Sequence, residues 1–223
     1  MIKGVLFDLD GTLIDSSPDF VNCLNALLTE NNQTNISEAD MRHLVSDGSN
    51  LLLKTFLQIK SDNELQQIRE QFFILYKKEL LNGSKLFEGV AELIGFLESE
   101  QIPWGIVTNK FRRFAEIIVS NNLFLKKSQV LITPDDIKIA KPDPEGILKA
   151  TQLLGISSQE CIYVGDHLKD LEAATNAGME SIGCLFGYSM KIEKDTKKHT
   201  QYFVKDAFEL KTLLSKKIAV HEK

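Results

Sequence analysis

The sequence predicts an α/β fold, a doubly wound parallel sheet interrupted once by an inserted helical segment. Three observations carry that expectation. Short apolar runs recur along the chain, each bounded by turn or polar residues, as buried parallel strands are. Helical stretches separate those runs, so strand–helix–strand units follow one another. The alternation breaks only over residues 16–84, where apolar residues keep helical spacing without an intervening strand.

In chain order, residues 4–7 (GVLF) form the first strand and end at Asp8. Ser17-Pro18 then opens a helix whose Phe20, Leu24, Leu27 and Leu28 share a face, and Ser37 with Asp40 makes a capping box. Leu65, Ile68, Phe72, Leu75 and Tyr76 continue the helical pattern. Ser46-Asp47-Gly48-Ser49 lies between these helices, either facing a ligand or simply turning the chain. Further strands are expected at 102–107, 129–132, 161–164 and 181–185, with a last short one near 202–204 and a helix from Asp206. From Asp143 a helix is expected with Pro144 at its first position, an apolar face of Ile147, Leu148, Leu153 and Leu154, and a left-handed cap at Gly155.

Composition narrows the function. With 43% hydrophobic and 26% charged residues in 223, the chain has an ordinary globular mixture and enough length for a large core. A net charge of -5 offers no broad attraction to nucleic acid or to an anionic membrane, so an anionic ligand must be captured locally. Cys23, Cys161 and Cys184 are odd in number and match no metal or redox spacing, which points to reduced, buried thiols. No apolar run approaches the roughly 20 residues of a spanning helix, and the N-terminal run meets two aspartates too soon for a signal peptide. A cytoplasmic location is expected; oligomeric state is not legible.

In open parallel sheets, ligands bind beyond the carboxyl ends of the strands. There the sequence sets Asp8-Leu9-Asp10-Gly11-Thr12, Thr108-Asn109-Lys110 and Gly165-Asp166-His167-Leu168-Lys169-Asp170, with Lys141-Pro142 between the third and fourth core strands. Carboxylates gathered on one rim repel one another unless a cation joins them, and an all-oxygen set with few carboxylates suits Mg²⁺ beside a phosphate. Phosphoryl transfer uses all these parts: an in-line nucleophile, cations on the equatorial oxygens and a proton donor for the leaving oxygen. Asp8, on the strand axis, is the expected nucleophile, and Asp10 the acid and base. Gly11 frees backbone amides to meet the phosphate, Thr108 offers a hydroxyl, Lys141 a charge and Asp166 a metal oxygen. Asp170 is either a ligand or an orienter of one. His167 alone reads as structural or solvent-facing.

These motifs resemble those of the haloacid dehalogenase superfamily, all present in order and spanning most of the chain. The resemblance implies a Rossmann-like core of residues 1–15 and 85–223 and a helical cap of 16–84. It implies a Mg²⁺-dependent phosphomonoesterase acting through an aspartyl-phosphate on Asp8, with the metal held by Asp8, Asp10 (through its backbone carbonyl) and Asp166. Gly11, Thr12, Thr108, Asn109 and Lys141 would bind substrate phosphate. Dehalogenases of the superfamily lack an aspartate at the position of Asp10, because chloride leaves without a proton. Lys141-Pro-Asp-Pro-Glu145 looks like the phosphoglycolate phosphatase branch, and Ile102 to Lys110 with Arg113-Phe114 is similar to N-acetylmuramic acid 6-phosphate phosphatases. Ser46, Asp47, Gly48, Ser49, Lys110, Arg112 and Arg113 are then the places to look for contacts with the organic part, the basic trio alternatively facing solvent. A phosphomutase shares every motif, and a phospho-aspartate switch shares some of them but lacks the cap and the Asp-x-Asp-Gly-Thr run.

Overall fold

The computed structural model describes residues 2–218. The chain forms two compact units, one of residues 1–14 and 86–223 and one of residues 15–85. Strands β1 (Gly4–Phe7) and β2 (Ile14–Asp15) precede helices α1 (Ser17–Glu30), α2 (Glu38–Met41), α3 (Ser49–Phe56) and α4 (Asp62–Glu79). There follow β3 (Lys85–Leu86), α5 (Val90–Ser99), β4 (Trp104–Val107), α6 (Arg112–Asn121), β5 (Val130–Ile132) and α7 (Glu145–Leu154). The chain continues through β6 (Cys161–Gly165), α8 (Leu168–Asn176), β7 (Glu180–Cys184), β8 (Phe203–Val204) and α9 (Ala207–Lys217). β2 and β3 pair as a two-stranded ribbon.

The first unit is built on a six-stranded sheet in the order β5-β4-β1-β6-β7-β8, parallel throughout. This is the doubly wound, Rossmann-like sheet. All four residues of β1 are buried, which is why its sequence is continuously apolar rather than alternating. The chain steps outward from β1 to β4 and β5 on one side, then returns to β6 on the other. That reversal opens a crevice beyond the carboxyl ends of β1, β4 and β6.

Packing corrects one sequence expectation. Helix α7 begins at Glu145 with Pro144 as its cap, and it buries Gly146, Ile147, Ala150 and Thr151, with Leu154 partly buried against the same cluster. Leu148 and Leu153 are 43% and 62% exposed. Positions 147, 150, 151 and 154 follow the three- and four-residue steps of one helical face; side-chain hydrophobicity alone had selected two residues from the opposite face. Gly155 does adopt the left-handed cap, at φ 69°.

The second unit is helical. Phe20 of α1 lies against Tyr76 and Phe72 of α4, with ring centroids 4.5 and 5.9 Å away. The Ser37–Asp40 capping box forms as expected. Asp19, fully buried, accepts from the backbone amides of Leu81 (3.0 Å) and Gly83 (2.7 Å) and from the Ser84 hydroxyl. Among the described residues no helix is long and apolar enough to cross a membrane. The three cysteines are free and buried; burial pushes the Cys23 thiol up to about 12 and Cys161 to about 11, which leaves both un-ionised and unreactive at neutral pH.

Candidate active site

Asp8 follows the last residue of β1, where the strand's hydrogen bonding still holds it: its amide donates to Val164 O of β6 at 2.9 Å. The chain then folds back tightly, with the amides of Leu13 and Ile14 both donating to Leu9 O at 3.0 Å. Gly11 makes this turn possible at φ 82°, and a Cβ there would meet the Asp166 carboxylate at 2.4 Å. Asp166, at the end of β6, is fully buried. It accepts from Thr12 Oγ1 (3.3 Å) and from the Tyr188 amide (2.8 Å), while its carbonyl accepts from Ser189 Oγ (3.1 Å).

Lys141 is the cation of this cluster. Its ammonium donates to Asp170 Oδ1 (2.7 Å), to the Tyr163 hydroxyl (2.8 Å) and to Val107 O (3.0 Å). An ammonium has three N–H bonds, and these contacts use them. Nζ also lies 2.9 Å from Asp8 Oδ1. That approach is an ion pair without a directed N–H, and it leaves Asp8 Oδ1 buried with no hydrogen-bond donor. Asp170 in the first turn of α8 accepts from the His167 amide through its other oxygen (3.0 Å). His167 is the N-cap of that helix, its ring nitrogen accepting from the Lys169 amide at 3.0 Å, which is a structural role.

The charges do not balance internally. Carboxylate oxygens of Asp8, Asp166 and Asp170 come within 4.8 Å of one another, and among the described residues Lys141 is the ammonium that pairs with them. Burial, reinforced by Asp170 and Asp8, holds the Asp166 carboxyl well above the usual range. Burial likewise raises Asp8, with Lys141 opposing. For Lys141 itself burial disfavours the charge, but Asp170 and Asp8 overcome it and keep the ammonium well above its ordinary value. The Tyr163 hydroxyl, pushed up by burial, stays protonated and donates to Val107 O at 2.6 Å. A small divalent cation fits this arrangement: the donors are all oxygens, and the carboxylates carry surplus negative charge. Asp8 and Asp166 are the residues available to hold it. Asp170, the third carboxylate of the group, is also bonded to Lys141 and to the His167 amide.

The remaining sequence candidates divide. Thr108, buried at the end of β4, accepts from the Lys110 amide at 3.2 Å. Asn109 is engaged by backbone: it donates to Lys141 O (3.0 Å) and accepts from the Lys141 amide (3.1 Å), so its side chain braces the lysine loop. Lys110 is drawn to Asp10, within 3.0 and 2.9 Å of its two oxygens. Arg112 is held by Glu116, Asp136 and Leu131 O, and the Arg113 guanidinium lies over Phe111 and Phe114 at 5.7 and 4.9 Å from the ring centroids. Ser46 and Asp47 end a 3₁₀ turn in the helical unit, Gly48 at φ 98° caps α3, and Ser49 begins that helix.

Tyr163, Gly187, Tyr188 and Ser189 escaped the sequence reading. The last three follow β7, so the strand-end rule applied to that strand would have found them. A Cβ on Gly187 would sit 2.3 Å from both Asp166 Cβ and Gly11 O. Gly187→Ala is therefore expected to destabilise the fold by about 1–3 kcal/mol and to displace Asp166, measurable as a lowered Tm together with lost phosphatase activity.

A parallel-sheet crevice holding a strand-end aspartate, a buried lysine and further acids suits phosphoryl chemistry, and a family model described as haloacid dehalogenase-like hydrolase matches residues 5–184. The chain belongs to that family, and within it the chain is a phosphatase. It is 35% identical over 188 residues to an N-acetylmuramic acid 6-phosphate phosphatase of Pseudomonas putida, covering 84% of each protein. It is 36% identical over 188 residues to a phosphoglycolate phosphatase of Xanthomonas campestris pv. campestris, covering 84% of this chain and 85% of the relative. Among solved structures, a predicted phosphoglycolate phosphatase from Haemophilus somnus superposes with a TM-score of 0.82 at 25% identity, over 95% of this chain and 98% of that one.

Proposed function

We propose that this protein is a Mg²⁺-dependent phosphomonoesterase working through an aspartyl-phosphate on Asp8, with a phosphorylated organic acid as substrate. The observation that carries the reading is Asp8 Oδ1: a buried carboxylate oxygen beside an ammonium, without a hydrogen-bond donor, at the mouth of a sheet crevice. An oxygen so placed has its lone pairs available for attack. In the first step Asp8 bonds to phosphorus while the bond from phosphorus to the ester oxygen breaks, and Asp10 gives that oxygen its proton. In the second, Asp10 takes a proton from water, the water oxygen bonds to phosphorus, and the bond to Asp8 breaks to release inorganic phosphate. Lys141 and the Thr108 hydroxyl offset the charge on the transferring group. Mg²⁺ held by Asp8 and Asp166, with the Asp10 carbonyl, would supply further neutralisation of the phosphate oxygens.

The substrate class rests on the relatives: phosphoglycolate and N-acetylmuramic acid 6-phosphate are both organic acids that carry a phosphate. We assign substrate choice to the inserted helical unit as a cap, with Ser46, Asp47, Gly48 and Ser49 the first residues to vary. Reduced, buried cysteines favour a cytoplasmic location. The test is phosphate release from a panel of metabolite phosphates with and without Mg²⁺. Free phosphate in many turnovers supports hydrolysis; an isomeric ester without phosphate would show a mutase, and a single stable phosphorylation a switch. Asp10→Asn is expected to slow alkyl esters by roughly 10²-fold or more and aryl esters far less, because only alkoxides need a strong proton donor. Equal losses would remove Asp10 from that role.

A further inference from the structure

Lys110 has a place in the structure that phosphate capture does not explain. It follows Thr108 and Asn109 beyond β4, yet its head turns to the loop after β1 and lies 3.0 and 2.9 Å from the two carboxylate oxygens of Asp10. The residue is only 9% exposed, so its ammonium has given up most of its water to make this contact. Burying an ammonium costs several kcal/mol unless its partner is well placed, and a surface lysine would gain little from such an arrangement. The lysine backbone is fixed as well, through its amide to Thr108 Oγ1 at 3.2 Å. Lys110 thus joins the end of β4 to an aspartate 100 residues away in sequence.

We propose that Lys110 is a positioning residue for the proton donor: its two-oxygen contact holds the Asp10 carboxyl in place, and it does not read the organic part of the substrate. The inference rests on the acid role given to Asp10 above. A carboxyl without a charged partner samples its side-chain rotamers, whereas one paired through both oxygens with an ammonium whose own backbone is anchored keeps its head in one place. General-acid transfer requires hydrogen-bond reach to one particular leaving oxygen, so orientation carries over into rate. A lysine that aims the acid matters in proportion to the need for the acid. Its removal should therefore be felt on poor leaving groups and not on good ones. A lysine serving phosphate binding or fold stability would instead affect all esters alike.

The experiment compares kcat/KM for an alkyl phosphate and for p-nitrophenyl phosphate in the Mg²⁺-loaded wild type, Lys110→Met, Lys110→Arg, Asp10→Asn and the Lys110→Met/Asp10→Asn double variant, each first shown to be folded by circular dichroism. The expected result for Lys110→Met is a loss of about 10- to 100-fold on the alkyl ester, carried in kcat, and about threefold or less on the aryl ester. Lys110→Arg, which can span both oxygens, should recover part of the alkyl activity, and the lysine change should add little once Asp10 is already Asn. Equal losses on both esters, or full additivity in the double variant, would overturn the proposal. A loss confined to KM for the larger ester would overturn it too, and make Lys110 a substrate contact. If Lys110→Met does not fold, Lys110→Gln takes its place in the same comparison. Should Asp10→Asn itself show no leaving-group dependence, the acid reading fails first; should only Lys110→Met lack it, the positioning proposal alone fails.

Discussion

Asp8→Asn is expected to lower phosphate release by roughly 10⁴-fold or more while leaving the metal-free protein at least as stable as the wild type. The two halves have one cause. The carboxylate is buried with an oxygen that no donor satisfies, an arrangement that serves attack and opposes folding. Its pKa is raised above the unfolded value, so the ionised form destabilises the native state increasingly as pH rises from the ordinary carboxylate range through the folded value. A neutral amide removes that penalty. Lys141 loses an ion-pair neighbour but keeps its donors to Asp170, Tyr163 and Val107. Steady-state phosphate assays and thermal unfolding without Mg²⁺ check both halves. A sharply lowered Tm would mean that Asp8 supports the fold and that lost activity says little of its chemistry.

Lys141→Met should have the opposite character, with both stability and activity collapsing. Its ammonium is the cation among Asp8, Asp166 and Asp170, and a methionine in its place removes the donor that the Tyr163 hydroxyl and Asp170 Oδ1 accept from, while Val107 O keeps the Tyr163 hydroxyl. Breaking a buried pair from one side typically costs about 3–5 kcal/mol, which in a protein of this size is a Tm fall of roughly 10 °C. The loss should be largest at alkaline pH and shrink as pH falls, because the surviving carboxyls have pKa values raised above the ordinary carboxylate range and become neutral before an exposed carboxylate would. Added Mg²⁺ should restore part of the Tm, by mass action on the same carboxylates. An unchanged Tm at pH 8 would contradict the charge balance described for the site.

Much of the core was legible because its strands end abruptly. Apolar runs stop at Asp8, Thr108 and Asp166, and the doubly wound topology makes those stops converge beyond β1, β4 and β6. What stayed hidden depended on pairings that no local pattern encodes. Tyr163 lies in an apolar strand and reads as an ordinary core tyrosine; its use appears only when β4 and β6 flank β1 and the hydroxyl reaches Val107 O across them. Lys110 stands beside Thr108 at a strand end, and only the folded chain brings Asp10 to it. Asn109 is similar, its side chain paired with the backbone of a lysine 32 residues on. In α7 the error was of another kind: Leu148 and Leu153 are apolar yet lie off the face that Ile147, Ala150, Thr151 and Leu154 turn to the sheet.

The covalent intermediate on Asp8 is the claim on which the rest depends. An acyl phosphate, unlike a carboxylate, is reduced by borohydride to an alcohol, which would convert Asp8 to homoserine. Wild-type protein quenched during turnover with substrate and Mg²⁺, reduced, digested and sequenced by mass spectrometry should carry homoserine at position 8, and protein without substrate should not. Homoserine at another aspartate, or intact Asp8 throughout a working reaction, would contradict the account.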